Sequence, residues 1–114
     1  MKTEVREAYS RERLVAAAAL AAGDLDRAFA HLERAHIVGQ RNTVAHVGAH
    51  FAMLSIAWRR RDAREILGQF TRIVAASLFT RLWVPVGNTG GASFSATKPM
   101  DLPPDLLELM REDR

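Results

Sequence analysis

Three interruptions divide the first two-thirds of this chain into four amphipathic runs, and each interruption carries the residues that start a helix. Gly23-Asp24, Gln40-Arg41-Asn42-Thr43 and Arg61-Asp62 separate stretches rich in Ala, Leu, Glu and Arg. Asp and Asn are good N-caps because their side-chain oxygens accept from the unpaired N–H groups of a helix's first turn. Glycine suits the residue just past a helix end, where the backbone turns left-handed. The pattern predicts helices over about 3–22, from Asp24 to 39 or 40, from Asn42 or Thr43 to the arginine run, and from Asp62 onward. Connections this short make sequential helices antiparallel neighbours. Inward stripes read Val5, Ala8, Tyr9, Glu12, Val15, Ala16, Ala19 on the first helix and Leu25, Ala28, Phe29, Leu32, Ala35 on the second. The third carries Val47, Phe51, Leu54 and Trp58. The fourth stripe is Ile66, Leu67, Phe70, Ile73, Val74, Ser77, Leu78.

Helical patterning stops at Trp83-Val84-Pro85-Val86, and Pro103-Pro104 open a last short helix over Asp105–Met110. Residues 1–83 therefore read as an all-α, antiparallel four-helix bundle made of two helical hairpins. Residues 84–114 read as an extended arm and short terminal helix, packing on the bundle or on a dimer partner. Leu78, Phe79, Leu82, Trp83 and Val84 supply more apolar surface than one helix face hides, so a homodimer is expected.

With 114 residues, 48% apolar and 25% charged, the composition is that of an ordinary globular domain. A net charge of +3 is too small to argue for nucleic acid, which needs a concentrated basic face. The single dense run, Arg59-Arg60-Arg61 with Arg64, fits a helix C-terminus, whose dipole favours cations. Leu14–Ala22 is too short to span a membrane, and Glu4, Glu7 and Glu12 make the preceding segment a poor signal peptide. A cytoplasmic protein is the expectation. The absence of cysteine excludes disulfides and thiolate metal sites.

The residues that carry chemistry are histidines. His36 lies before the second turn, and His46 and His50 lie after it, so they should meet across an antiparallel seam. His46 and His50 are separated by only about 40° around their helix, on the stripe that continues as Met53, Leu54 and Ala57. Counting from the turns places Glu12 and Glu33 within about two helical turns of the same height. Glu12 interrupts an apolar stripe, where a carboxylate is costly to bury unless paired or bound to a cation. Candidate metal ligands are therefore Glu12, Glu33, His36, His46 and His50. Gln40 is expected to orient a ligand or a bound water. His31, about 140° from His36, is placed outside the ligand set, as a supporting or exposed residue. Glu65 and Gln69 lie further down the bundle.

A set of imidazoles and carboxylates suits a divalent transition metal, with Zn or Fe first, then Mn or Cu. A metal-free histidine network that responds to pH is the competing chemistry. Glu33-x-x-His36 is similar to half of the ligand motif of ferritin-like di-iron bundles, but it occurs once, which favours a mononuclear site. Neither a His-Glu-x-x-His pattern nor a Ser-His-Asp candidate is present, so hydrolysis is not expected. Gly87-Asn88-Thr89-Gly90-Gly91 can present N–H groups to an anion or close over a neighbouring subunit. It lacks the lysine and flanking elements of a nucleotide loop, and a structural bend is the plainer reading.

Two resemblances bear on this pattern. Gly23-Asp24, Ala28, Leu32 and Ala35 are similar to the second helix of a tetratricopeptide hairpin, which implies close helix packing and, as an alternative function, a non-enzymatic interaction module. His31-Leu32-Glu33-Arg34-Ala35-His36, Gly39-Gln40, His46-x-x-x-His50, Met53-Leu54, Gly68-Gln69 and the run Val84–Gly91 together resemble the bacterial family catalogued as domain of unknown function 3703. The resemblance spans about Glu12 to Leu107. It implies a small bacterial protein in which these segments form one module, and it implies no activity.

Overall fold

The computed structural model describes residues 1–79 and 101–112. Five helices account for most of them: α1 (Thr3–Ala21), α2 (Leu25–Gly39), α3 (Thr43–Arg60), α4 (Ala63–Phe79) and α5 (Pro104–Glu112). No strand occurs among the described residues, and none of these helices is long and apolar enough to cross a membrane. The glycine-rich segment at 87–91, like Leu82, Trp83 and Val84, lies outside the described residues.

The helix starts follow the capping chemistry. Asp24 Oδ1 accepts from the Arg27 N–H at 3.1 Å, Asn42 Oδ1 from Ala45 at 3.0 Å, and Asp62 Oδ1 from Glu65 at 3.1 Å. Two helix ends share one device. After α1, Gly23 adopts φ 79° while the Gly23 and Asp24 N–H groups return to Leu20 and Ala19. After α3, Arg61 occupies the equivalent left-handed position at φ 55°, with Arg61 and Asp62 donating back to Trp58 and Ala57.

Packing is most extensive between helices adjacent in the chain: α1 on α2, α2 on α3, α3 on α4. One core joins the first three helices through Ala16, Ala19, Ala28, Leu32, Met53 and Ile56. A second joins α1, α2 and the terminal helix through Val5, Ala8, Ile37, Val38 and Leu106. Helix α5 thus sits on the first hairpin, with Leu106 and Met110 buried.

The stripes of α1 and α2 turn inward as their spacing predicts, and so does the α3 stripe of His46, His50, Met53 and Ala57, but the large apolar stripes of α3 and α4 do so only in part. Phe51 and Trp58 are 56% and 71% exposed, and α3 buries Ala45, His46, Ala49, His50, Met53, Ile56 and Ala57 instead. On α4 the buried residues are Gln69, Ile73 and Ala76, while Leu67, Phe70, Val74 and Leu78 face outward. Small residues on α3 let its neighbours approach closely, which fixes the buried side by backbone fit rather than by side-chain size. Helix α4 is apolar over more than one face, and its packing on α3 covers only one of them.

Candidate metal centre

The turn between α2 and α3 brings the histidines together, and Gly39 makes that turn close. A Cβ built on Gly39 would lie 2.8 Å from the Ala45 Cβ and 2.9 Å from the Tyr9 ring. The tyrosine ring therefore lies almost on the α2 backbone, and its hydroxyl donates to the Ala45 carbonyl at 2.8 Å. This contact clamps the start of α3 against the end of α2 beside His36 and His46.

His36, His46 and His50 are all buried, and one nitrogen from each lies within 4.8 Å of the others. Ring centroids are 4.7 Å apart for His36 and His46, 4.5 Å for His36 and His50, and 4.9 Å for His46 and His50. The Nε2 atoms of His36 and His46 are 3.0 Å apart, so one ring's N–H donates to the other's lone pair. Two nitrogens on a tetrahedral zinc ion stand about 3.3 Å apart, so this pair is near chelating distance without backbone movement.

His50 has a defined orientation. Its Nδ1 lies 2.6 Å from Gln69 Oε1. An amide oxygen only accepts, so Nδ1 carries the proton and Nε2 keeps its lone pair for the cluster. Gln69 in turn donates from Nε2 to Glu65 Oε2 at 3.3 Å. This relay is the type of outer support that fixes the tautomer of a metal-binding imidazole. Counting helical turns places Gln69 opposite residue 53 rather than 50, and so misses it. The offset of three residues is about 4.5 Å along the axis, which a glutamine side chain spans. The available signal was its spacing, three residues after Ile66 and four before Ile73, which puts an amide on the side of α4 that turns inward, where it needs a partner.

Burial governs the charge of the cluster. The His46 imidazole is pushed down to about 4, first by burial and then by the neighbouring His50. His50 is also lowered to about 4, mainly by burial, with the Arg72 charge acting in the same direction and the Gln69 hydrogen bond opposing it. Both rings are therefore neutral near pH 7, the state that donates a lone pair to a metal.

The two carboxylates are placed differently. Glu12 lies at the expected height but on the opposite side of α2 from the cluster. Its oxygens lie 2.6 Å from His31 Nδ1 and 2.7 Å from Arg34 Nε. Arg34 also pairs with Asp105, which ties α5 to this network. His31 thus partners Glu12 rather than the triad. Glu33 is half-buried one turn before His36, and among the described residues the group of converging ligand atoms comprises the three histidines alone. Gln40, one turn beyond His36, is 1% exposed and occupies the cap position of α2.

The family described as protein of unknown function (DUF3703) matches residues 3–110, so the chain belongs to that family. No curated protein and no solved structure matches the chain.

Proposed function

We propose that this chain is a metal-binding helical protein whose ligands are His36, His46 and His50. The observation that carries the reading is the convergence of three buried imidazoles, two of them held neutral and one held in a single tautomer by Gln69. Three buried rings with centroids within 4.9 Å of one another are a poor apolar core, because each brings polar nitrogens that must be paired. A divalent ion can take one nitrogen from each ring at once. An imidazole-rich set suits Zn(II), Fe(II) or Cu(II) better than Mn(II), which prefers oxygen. Glu12 is engaged by His31 and Arg34, and Glu33, one turn before His36, is the carboxylate proposed for the fourth position.

Elemental analysis of protein purified without a polyhistidine tag tests this directly. One equivalent of metal per chain, as isolated or after adding Zn, Fe, Mn or Cu, is expected. A His46→Ala/His50→Ala variant should lose both the metal and its thermal stabilisation, which for ion at a hundredfold excess over Kd is about 2.7 kcal/mol. Metal well below one equivalent, together with identical melting of parent and variant with and without metal, would overturn the proposal.

A second reading is favoured by the outward face of α4, where Leu67, Phe70, Val74 and Leu78 are exposed. In that reading the chain is a tetratricopeptide-like interaction module with a metal-free histidine network, and a second copy covers this face as a homodimer.

A further inference from the structure

A half-open slot of about 250 Å³ lies between α1 and α3, on a different side of α3 from the histidines. Ala16, Leu32, Ala52 and Ile56 wall it, Ser55 also lines it, and among the described residues Arg13 supplies its only charge. Helices α1 and α3 run in the same direction here, both antiparallel to α2, so Arg13 occupies the end nearest Gly48. A Cβ on Gly48 would lie 3.2 Å from Arg13 Nη1, so the guanidinium rests close to the α3 backbone.

The arginine is held in place by a relay. Nη1 donates to the Tyr9 hydroxyl at 2.9 Å, and that hydroxyl donates to the Ala45 carbonyl at 2.8 Å. Among the described residues no carboxylate pairs with Arg13, whereas Arg34 and Arg60 both have acidic partners. An oriented, partly desolvated guanidinium with N–H groups to spare is complementary to a carboxylate, which it can bind through two parallel hydrogen bonds. The apolar walls suit a short hydrocarbon tail. Among the described residues the lining offers no acid to receive an ammonium group and no second cation for a second carboxylate.

We propose that this slot binds a small monocarboxylic acid, with the carboxylate on Arg13 and a short apolar tail between α1 and α3. The proposal is independent of the metal reading. Hexanoate, hexylamine and hexanol share a tail length and differ only in the head group, so they are the probes. Titration calorimetry on chelator-treated full-length protein should show hexanoate binding at least about tenfold more tightly than either analogue. Arg13→Gln should reduce hexanoate affinity about tenfold and leave hexanol unchanged, and Ala52→Leu, which fills the slot, should weaken both. Hexanoate binding no tighter than hexylamine, or unchanged by Arg13→Gln and Ala52→Leu, would overturn the proposal. So would affinity that appears only when metal is added, since that would place the carboxylate on the histidine cluster.

Discussion

At the scale of single residues, the histidine cluster makes a signed prediction about pH. His46 and His50 titrate near 4 in the fold and near 6.5 when unfolded, so the unfolded chain binds their protons first as pH falls. Their contribution is complete above about pH 6.5 and is lost progressively down to about pH 4. Each ring is worth about 3 kcal/mol over that window, with the coupling between the two making the sum smaller than twice that. Urea unfolding of metal-free protein should show the midpoint dropping between pH 7 and pH 5; a flat midpoint would mean the rings are solvated. Gln69→Leu should destabilise by about 1–3 kcal/mol, because it leaves the His50 Nδ1–H buried without an acceptor. The same change should weaken metal binding about tenfold to a hundredfold, read as a shift in competition with a chelator. The triad was legible in the sequence because spacing around a short turn determines both height and facing. Glu12 was legible in height only. Its side is set by the way α1 packs on α2, which directs Glu12 to His31 and Arg34 on a face of α2 turned away from His36.

At the scale of elements, caps and turns are local chemistry, and for that reason the helix boundaries follow from the sequence to within a residue or two. Asp24, Asn42 and Asp62 each cap through their own side chain, and Gly23 ends α1 as its backbone freedom allows. The exception is Arg61, a residue with a Cβ in a left-handed position that glycine adopts without steric penalty. Arg61→Gly should therefore raise stability by up to about 1 kcal/mol, seen as a higher melting temperature. Lower stability would show that the arginine side chain makes a contribution larger than its backbone strain. Gly39 makes the opposite case. Alanine is the better helix former, yet Gly39→Ala should destabilise by about 1–3 kcal/mol because the Ala45 methyl and Tyr9 ring already occupy the space. Unchanged melting would indicate that the α2–α3 turn has slack. The histidine stripe pointed to the buried face of α3, but the exposure of Phe51 and Trp58 and of most of the α4 stripe was not legible, because periodicity weighs large apolar side chains most heavily. The backbone fit at Gly39, Ala45, Gly48 and Ala49 instead turns α3's small residues and histidines inward and leaves Phe51 and Trp58 in solvent.

At the scale of the whole molecule, the packing is ordered along the chain, with the first hairpin and α5 on one side and α4 on the other. The all-helical class was legible from cap spacing and periodicity. The seat of α5 on the first hairpin was not, since it depends on contacts between Leu106 and residues such as Val5 and Ile37 that are distant in sequence. An outward α4 surface of four large apolar side chains is unusual for a helix that stays solvated. If that surface joins two copies, Phe70→Glu/Val74→Glu should halve the mass seen by light scattering and leave helix content unchanged. A parent that is already monomeric at high concentration would remove the dimer. The histidine cluster needs no partner to form, because His36, His46 and His50 all come from one chain. X-ray absorption at the zinc edge, on untagged protein loaded to one equivalent, tests that site most directly. The account predicts an inner shell dominated by three imidazole nitrogens at about 2.0 Å, with the outer-shell scattering typical of histidine rings. A shell made mainly of oxygen, without imidazole scattering, would contradict it.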